Sequence, residues 1–103
     1  MPLTLSETAQ LRLPSGALYQ RTLAACGLIG MAFLTDSGST DAQKAWATSM
    51  RADPDAVAAD VYNGVILTSQ IQAANLSALQ SGEAPTDAEL LAIVTGLLTQ
   101  FGV

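Results

Sequence analysis

Three stretches of this chain repeat their apolar residues at the three- and four-residue spacing of a helix with one buried face. After Thr86 the stripe is Leu90, Ile93, Val94, Leu97, Leu98 and Phe101. After Asp53 it is Val57, Ala58, Val61, Tyr62, Val65 and Ile66. After Thr40 it is Ala42, Ala45, Trp46, Ser49 and Met50, with Lys44 and Arg51 off the stripe. A fourth stretch, "LAACGLIGMAFL" from Leu23 to Leu34, is apolar on every side and reads as the buried part of a long helix running from about Ala17 to Leu34. Start signals agree with these stripes. "TLSE" at Thr4, "TDAQ" at Thr40 and "TDAE" at Thr86 fit the reciprocal cap in which a hydroxyl and a carboxylate or amide satisfy free backbone donors. In "DPDA", Asp53 can cap and Pro54 can open the helix, where no amide hydrogen is needed. Gly102 supplies a stop.

Two regions read less simply. "VILTSQI", from Val65 to Ile71, is β-branched enough for a strand, but the chain offers no second strand to pair with it, so helix is expected. Ser69 to Pro85 is polar, with Ile71, Leu76 and Leu79 as its only large apolar residues, and predicts an irregular arm or a short helix. Gly27 and Gly30, about one turn apart, leave room for another backbone to approach. The expected fold is all-α: a single domain, residues 1–103, built as a small bundle of four to five helices with a polar arm over 69–85 before the last helix.

Composition changes this picture from fold to habit. Of 103 residues, 50% are hydrophobic and 13% charged, whereas an ordinary soluble domain has about 25% charged residues. Thr, Ser, Gln and Ala stand where a free-standing monomer carries Lys and Glu, so much of the surface is cheap to dehydrate and self-association is expected. The charge is also lopsided. Four bases and three acids up to Arg51 give +1, and six acids with no base beyond it give −6. If the halves form separate faces, copies can meet positive to negative, a heterologous contact that closes into a ring or continues as a stack. An acidic face that merely aids solubility accounts for the same asymmetry. Direct nucleic-acid binding is not expected, because phosphate recognition needs clustered Lys and Arg.

"LAAC", Leu23 to Cys26, has the form of a lipoprotein cleavage box, but its surroundings are reversed. The preceding "LPSGALYQRT" contains Pro14, Gly16 and Arg21, and the apolar run follows the cysteine instead of leading to it. That run of twelve is also shorter than the roughly 18–20 residues a membrane span needs. Cys26 is therefore expected as a small core residue, and no membrane association is expected.

The search for chemistry excludes more than it finds. There is no histidine and only one cysteine, so the commonest general base, a zinc site and the usual nucleophile–base pairs are closed. Asp53, Asp55 and Asp60 lack calcium-loop spacing. "GLIG" lies within a helix and lacks a phosphate loop's lysine. No catalytic activity, cofactor or metal is expected.

Three segments, "LYQRTLAACGLIGMAFL", "KAWATSMRADPDAVAADVYNGV" and "PTDAELLAIVTGLLTQF", resemble in order a family of small helical proteins commonly encoded in the structural-gene region of tailed bacteriophages. The matching features are Leu18 three before Arg21, Trp46 with Ala47, Asp53 with Pro54, and Thr86, Asp87 and Ala88. The polar 69–85 segment departs from the family's pattern. The resemblance implies a virion component assembled in the host bacterial cytoplasm: a head-to-tail connector or adaptor forming a ring at the neck, in contact with portal, tail or capsid subunits. A capsid decoration protein is the alternative within assembly. From another class, a small cytoplasmic binding or regulatory protein would use a helix groove lined by Met31, Phe33 and Met50. For the assembly readings the expected interface residues are Arg12, Arg21, Arg51, Trp46, Asp55, Asp60, Ile71, Leu76 and Leu79.

Overall fold

The computed structural model describes residues 3–13 and 16–103, so Pro14 lies outside the described residues. Seven helices and no strand are found among them: α1 (Leu5–Leu11), α2 (Ala17–Thr35), α3 (Asp41–Ala52), α4 (Pro54–Val65), α5 (Ser69–Gln72), α6 (Leu76–Ser81) and α7 (Asp87–Gln100). The all-α bundle expected from the sequence is what forms. The starts lie where the caps place them: Thr4, Thr40 and Thr86 each accept from the amide three residues on, while Glu7, Gln43 and Glu89 reach back to the cap amide. Asp53 caps α4, with Pro54 in its first turn. At the far end of α7, Gly102 adopts φ 86°, and the Gly102 and Val103 amides donate to the Thr99 and Leu98 carbonyls at 3.1 and 2.8 Å. Those paired bonds close the helix through a left-handed residue that only glycine adopts cheaply.

Helix α2 is the centre. It packs on α3, α4, α6 and α7, while α4 also spans α3 and α7 behind it. Leu18, Tyr19, Thr22, Ala25, Cys26, Ile29 and Gly30 form its buried side. Tyr19 meets Tyr62 of α4 edge to face, centroids 5.3 Å apart. Thr22 is buried without cost because its hydroxyl donates to the Leu18 carbonyl. At 19 residues and a mean hydropathy of 1.3, α2 is long and apolar enough to cross a membrane by length and composition. The twelve-residue run suggested otherwise, because Ala17 to Thr22 extend the helix beyond it. In this structure it is the core helix of the bundle.

Residues 69–85 take the short-helix alternative in place of an irregular arm, and they help raise the helix count to seven where four to five were expected. They form α5 and α6, and Ile71, Leu79 and Pro85 are buried. Polar composition hid this because each short helix needs only one large apolar side chain to fill its share of the core. The helix through Val65 also ends sooner than expected, turning at Ile66–Thr68 before α5. Leu3 donates its amide to the Gln72 carbonyl at 2.7 Å, and Tyr62 donates its hydroxyl to the Leu11 carbonyl. These bonds fasten α1 to α5 and α4.

The glycines divide by surroundings. A methyl at Gly30 would stand 3.8 Å from the Ala47 Cα, so α3 does approach α2 there, as expected; at Gly27 nothing lies within 4 Å. At Gly64 a methyl would meet two Leu97 carbons at 3.1 and 3.2 Å. Gly27→Ala is expected to raise stability by about 1 kcal/mol through helix propensity. Gly64→Ala should forfeit that gain by displacing Leu97. Thermal denaturation of the two variants checks the contrast, and an equal gain at both sites would contradict it.

Candidate interaction surface

The residues singled out from sequence separate into three groups. Ile71 and Leu79 are fully enclosed, so they serve the fold and cannot form the outer contact expected of them; Leu76, packed against the core, is only partly buried and keeps an outward side. Arg21 is engaged within the chain: one guanidinium nitrogen donates to the Pro85 carbonyl at 2.5 Å and to Asp87 at 2.9 Å. Its other terminal nitrogen is buried with no hydrogen-bond partner among the described residues. Arg21 therefore holds the α6–α7 connection against α2. Trp46 is half-buried, edge to face with Phe33 at 6.0 Å. Only Arg12, Arg51, Asp55 and Asp60 are exposed, and Asp55 accepts a hydrogen bond from Tyr19 at 3.2 Å.

No group of three or more metal-ligating side chains occurs among the described residues. Cys26 is fully buried, which pushes its thiol up to about 11. A neutral, enclosed thiol is a poor nucleophile. Burial likewise pushes Tyr62 up to about 12, and burial together with the Asp55 carboxylate raises Tyr19. Glu89 is held below the usual carboxylate range by the Thr86 amide and hydroxyl and by Gln70. Each shift has a structural cause in burial or in a hydrogen bond within the fold.

What the surface does offer is apolar. The outward side of α2 carries Ala24, Gly27, Leu28, Met31 and Ala32, with Leu28 70% and Met31 68% exposed. On one flank of that ridge a cleft of about 580 Å³ opens between α2 and α3, lined by Leu23, Gly27, Met31, Leu34, Met50 and Arg51 among others. On the other flank a smaller hollow of about 320 Å³ lies between α2 and α7, lined by Ala24, Leu28 and Leu91. Met31 and Met50 line the larger cleft as a helix groove would require. Phe33 does not, because it turns toward Trp46.

The sequence showed the apolar run but not which side of it faces outward, since a run without polar punctuation has no readable period. The absence of Lys or Glu at Ala24, Gly27, Leu28 and Met31 was the signal available. No protein-family model, no curated protein and no solved structure matches this chain.

Proposed function

We propose that this chain is a non-enzymatic structural subunit of a tailed-phage virion, a head-to-tail adaptor that closes into a ring at the neck. The observation that carries the reading is the uncovered apolar side of α2: the central helix of the bundle leaves Leu28 and Met31 in solvent beside an open apolar cleft. Monomeric proteins rarely expose contiguous patches of this kind unless they bind something. The low charge supports the same conclusion, and the resemblance of the Leu18–Leu34, Lys44–Val65 and Pro85–Phe101 segments to phage structural proteins supplies the setting. The mechanism is geometric. A rigid bundle provides shape, and small residues let neighbours approach.

Light scattering and native mass spectrometry of the purified chain, with pull-down against portal, tail and capsid subunits, test this reading. Self-association or capture by one of those proteins is expected. A strict monomer at high concentration with no affinity for any of them would overturn it. Copy number in particles then separates a neck ring, on the order of a dozen copies, from a shell decoration protein in the hundreds.

The α2–α3 cleft favours one second reading, a small binding protein that captures a helix of an unrelated partner between Met31 and Met50. It would be distinguished by a monomeric chain absent from particles.

A further inference from the structure

The cleft and the opposite edge of the bundle are matched in shape, charge and direction. Helices α3 and α7 lie on different flanks of α2: Leu23, Gly27, Gly30 and Leu34 face the α3 side, while Arg21, Ala25 and Leu28 face the α7 side. Met31 and Leu34 stand exposed along the cleft, Met50 lies buried within it, and Arg51 is the only ionisable side chain that lines it among the described residues. Of the nearby acids, Asp53 is turned into the α4 cap, Asp55 accepts from Tyr19, and Asp36 and Asp41 lie at the far, Leu34 end. From Leu23 to Leu34 the cleft runs about 17 Å along α2, at 1.5 Å per residue.

The outer face of α7 is its counterpart. Ala88, Ala92, Thr95, Gly96 and Thr99 are all exposed and all small. The Thr95 and Thr99 hydroxyls donate to the carbonyls of Leu91 and Thr95 at 2.8 and 3.1 Å, so this face carries little unmet polarity and dehydrates cheaply. It is a slim helix about 21 Å long by the same rise, and it begins with two exposed carboxylates: Asp87, which meets Arg21 of its own copy at 2.9 Å yet stays 97% exposed, and Glu89, which accepts from the Thr86 amide and from Gln70.

Direction agrees as well. Within one copy Asp87 lies by Arg21 and Leu91 by Leu28, so α7 runs parallel to α2. Seating the acidic start of a neighbour's α7 by Arg51, at the Pro54 end of the cleft, again makes it parallel to α2. Rotation about an axis along α2 preserves that polarity, as cyclic symmetry requires.

We propose that the outer face of α7 of one copy seats in the α2–α3 cleft of the next, repeating head to tail around a closed ring. The proposal rests on reading the chain as a self-associating subunit and names the contact.

Two one-sided variants test it: Met31→Glu blocks the cleft and Ala92→Glu blocks the α7 face. Each is expected to weaken self-association by about thirtyfold or more, the scale of a central contact. Mixed together, they should form a 1:1 dimer and nothing larger, because each retains the surface the other lacks. Native mass spectrometry reads the stoichiometry and circular dichroism confirms the helices. Should Met31→Glu melt early, Arg51→Glu disturbs the same cleft from its exposed rim.

A mixture that stays monomeric points to a two-fold contact and overturns the proposal, as does a wild-type chain that never self-associates. Binding of the wild-type chain to phosphatidylcholine vesicles through Met31, without self-association, reassigns the face to lipid and also overturns it. Mass spectrometry of intact particles separates the two levels. A chain found in particles whose variants fail to pair keeps the virion reading and loses this contact; a chain absent from particles whose variants pair 1:1 does the reverse.

Discussion

Leu79→Ala is expected to cost the fold about 2–5 kcal/mol, the range for truncating a buried leucine whose site cannot collapse. The residue comes from the stretch that composition presents as a polar arm, yet it is fully enclosed. For a domain of about 100 residues, with total stability on the order of 5–15 kcal/mol, that loss lowers the melting temperature by about 10 °C or more. Leu76→Ala, at a partly buried site in the same helix, should cost less. Thermal denaturation of both variants decides the point. If Leu79→Ala melts with the wild type, α6 does not belong to the core.

The second large effect is expected at high pH. Burial raises Cys26 from 9.0 to about 11 and Tyr62 from 10.0 to about 12, and Tyr19 is raised as well. The folded state therefore favours the protonated forms. The stability they contribute is fully present below about pH 9, where the unfolded chain also keeps its protons. It is lost as pH climbs through the unfolded values toward 12. Each unit of pKa is worth about 1.4 kcal/mol, so the combined loss is several kcal/mol, a large share of the total. Helix content and tyrosinate absorbance followed together on raising the pH should change in one step, because these tyrosines ionise only as the bundle opens. Tyrosines titrating near their ordinary value with the helices intact would contradict the packing. Tyr62→Phe should blunt the alkaline loss and cost about 1–3 kcal/mol at neutral pH, since the buried Leu11 carbonyl loses its donor.

The legible parts of the fold were those with redundant signals. The starts at Thr4, Thr40, Asp53 and Thr86 combine a cap with the apolar spacing that follows, and each lies where expected. Residues 69–85 were opaque because a four-residue and a six-residue helix are too short to show a period, and their anchors Ile71 and Leu79 look isolated in the chain. Arg21 was misread for a different reason. Its partners, Pro85 and Asp87, stand 64 and 66 residues away, and only the fold brings them to it. The cleft was half visible: Met31 and Met50 could be paired from their helices, but the rotation of Phe33 toward Trp46 is set by how α3 packs on α2.

The three buried anchors of the 69–85 segment also bear on how the molecule can be labelled. A hydrophilic stretch of this kind invites the graft of an epitope or a dye, and here an insertion would prise apart the layer that Ile71, Leu79 and Pro85 close. The turn between α2 and α3 is the safer attachment point. Ser37 and Gly38 are exposed, and a fluorophore at Ser37 would sit within about one helical turn of Leu34 at the mouth of the cleft. Such a probe leaves the interior untouched and reports directly on whether the cleft is filled.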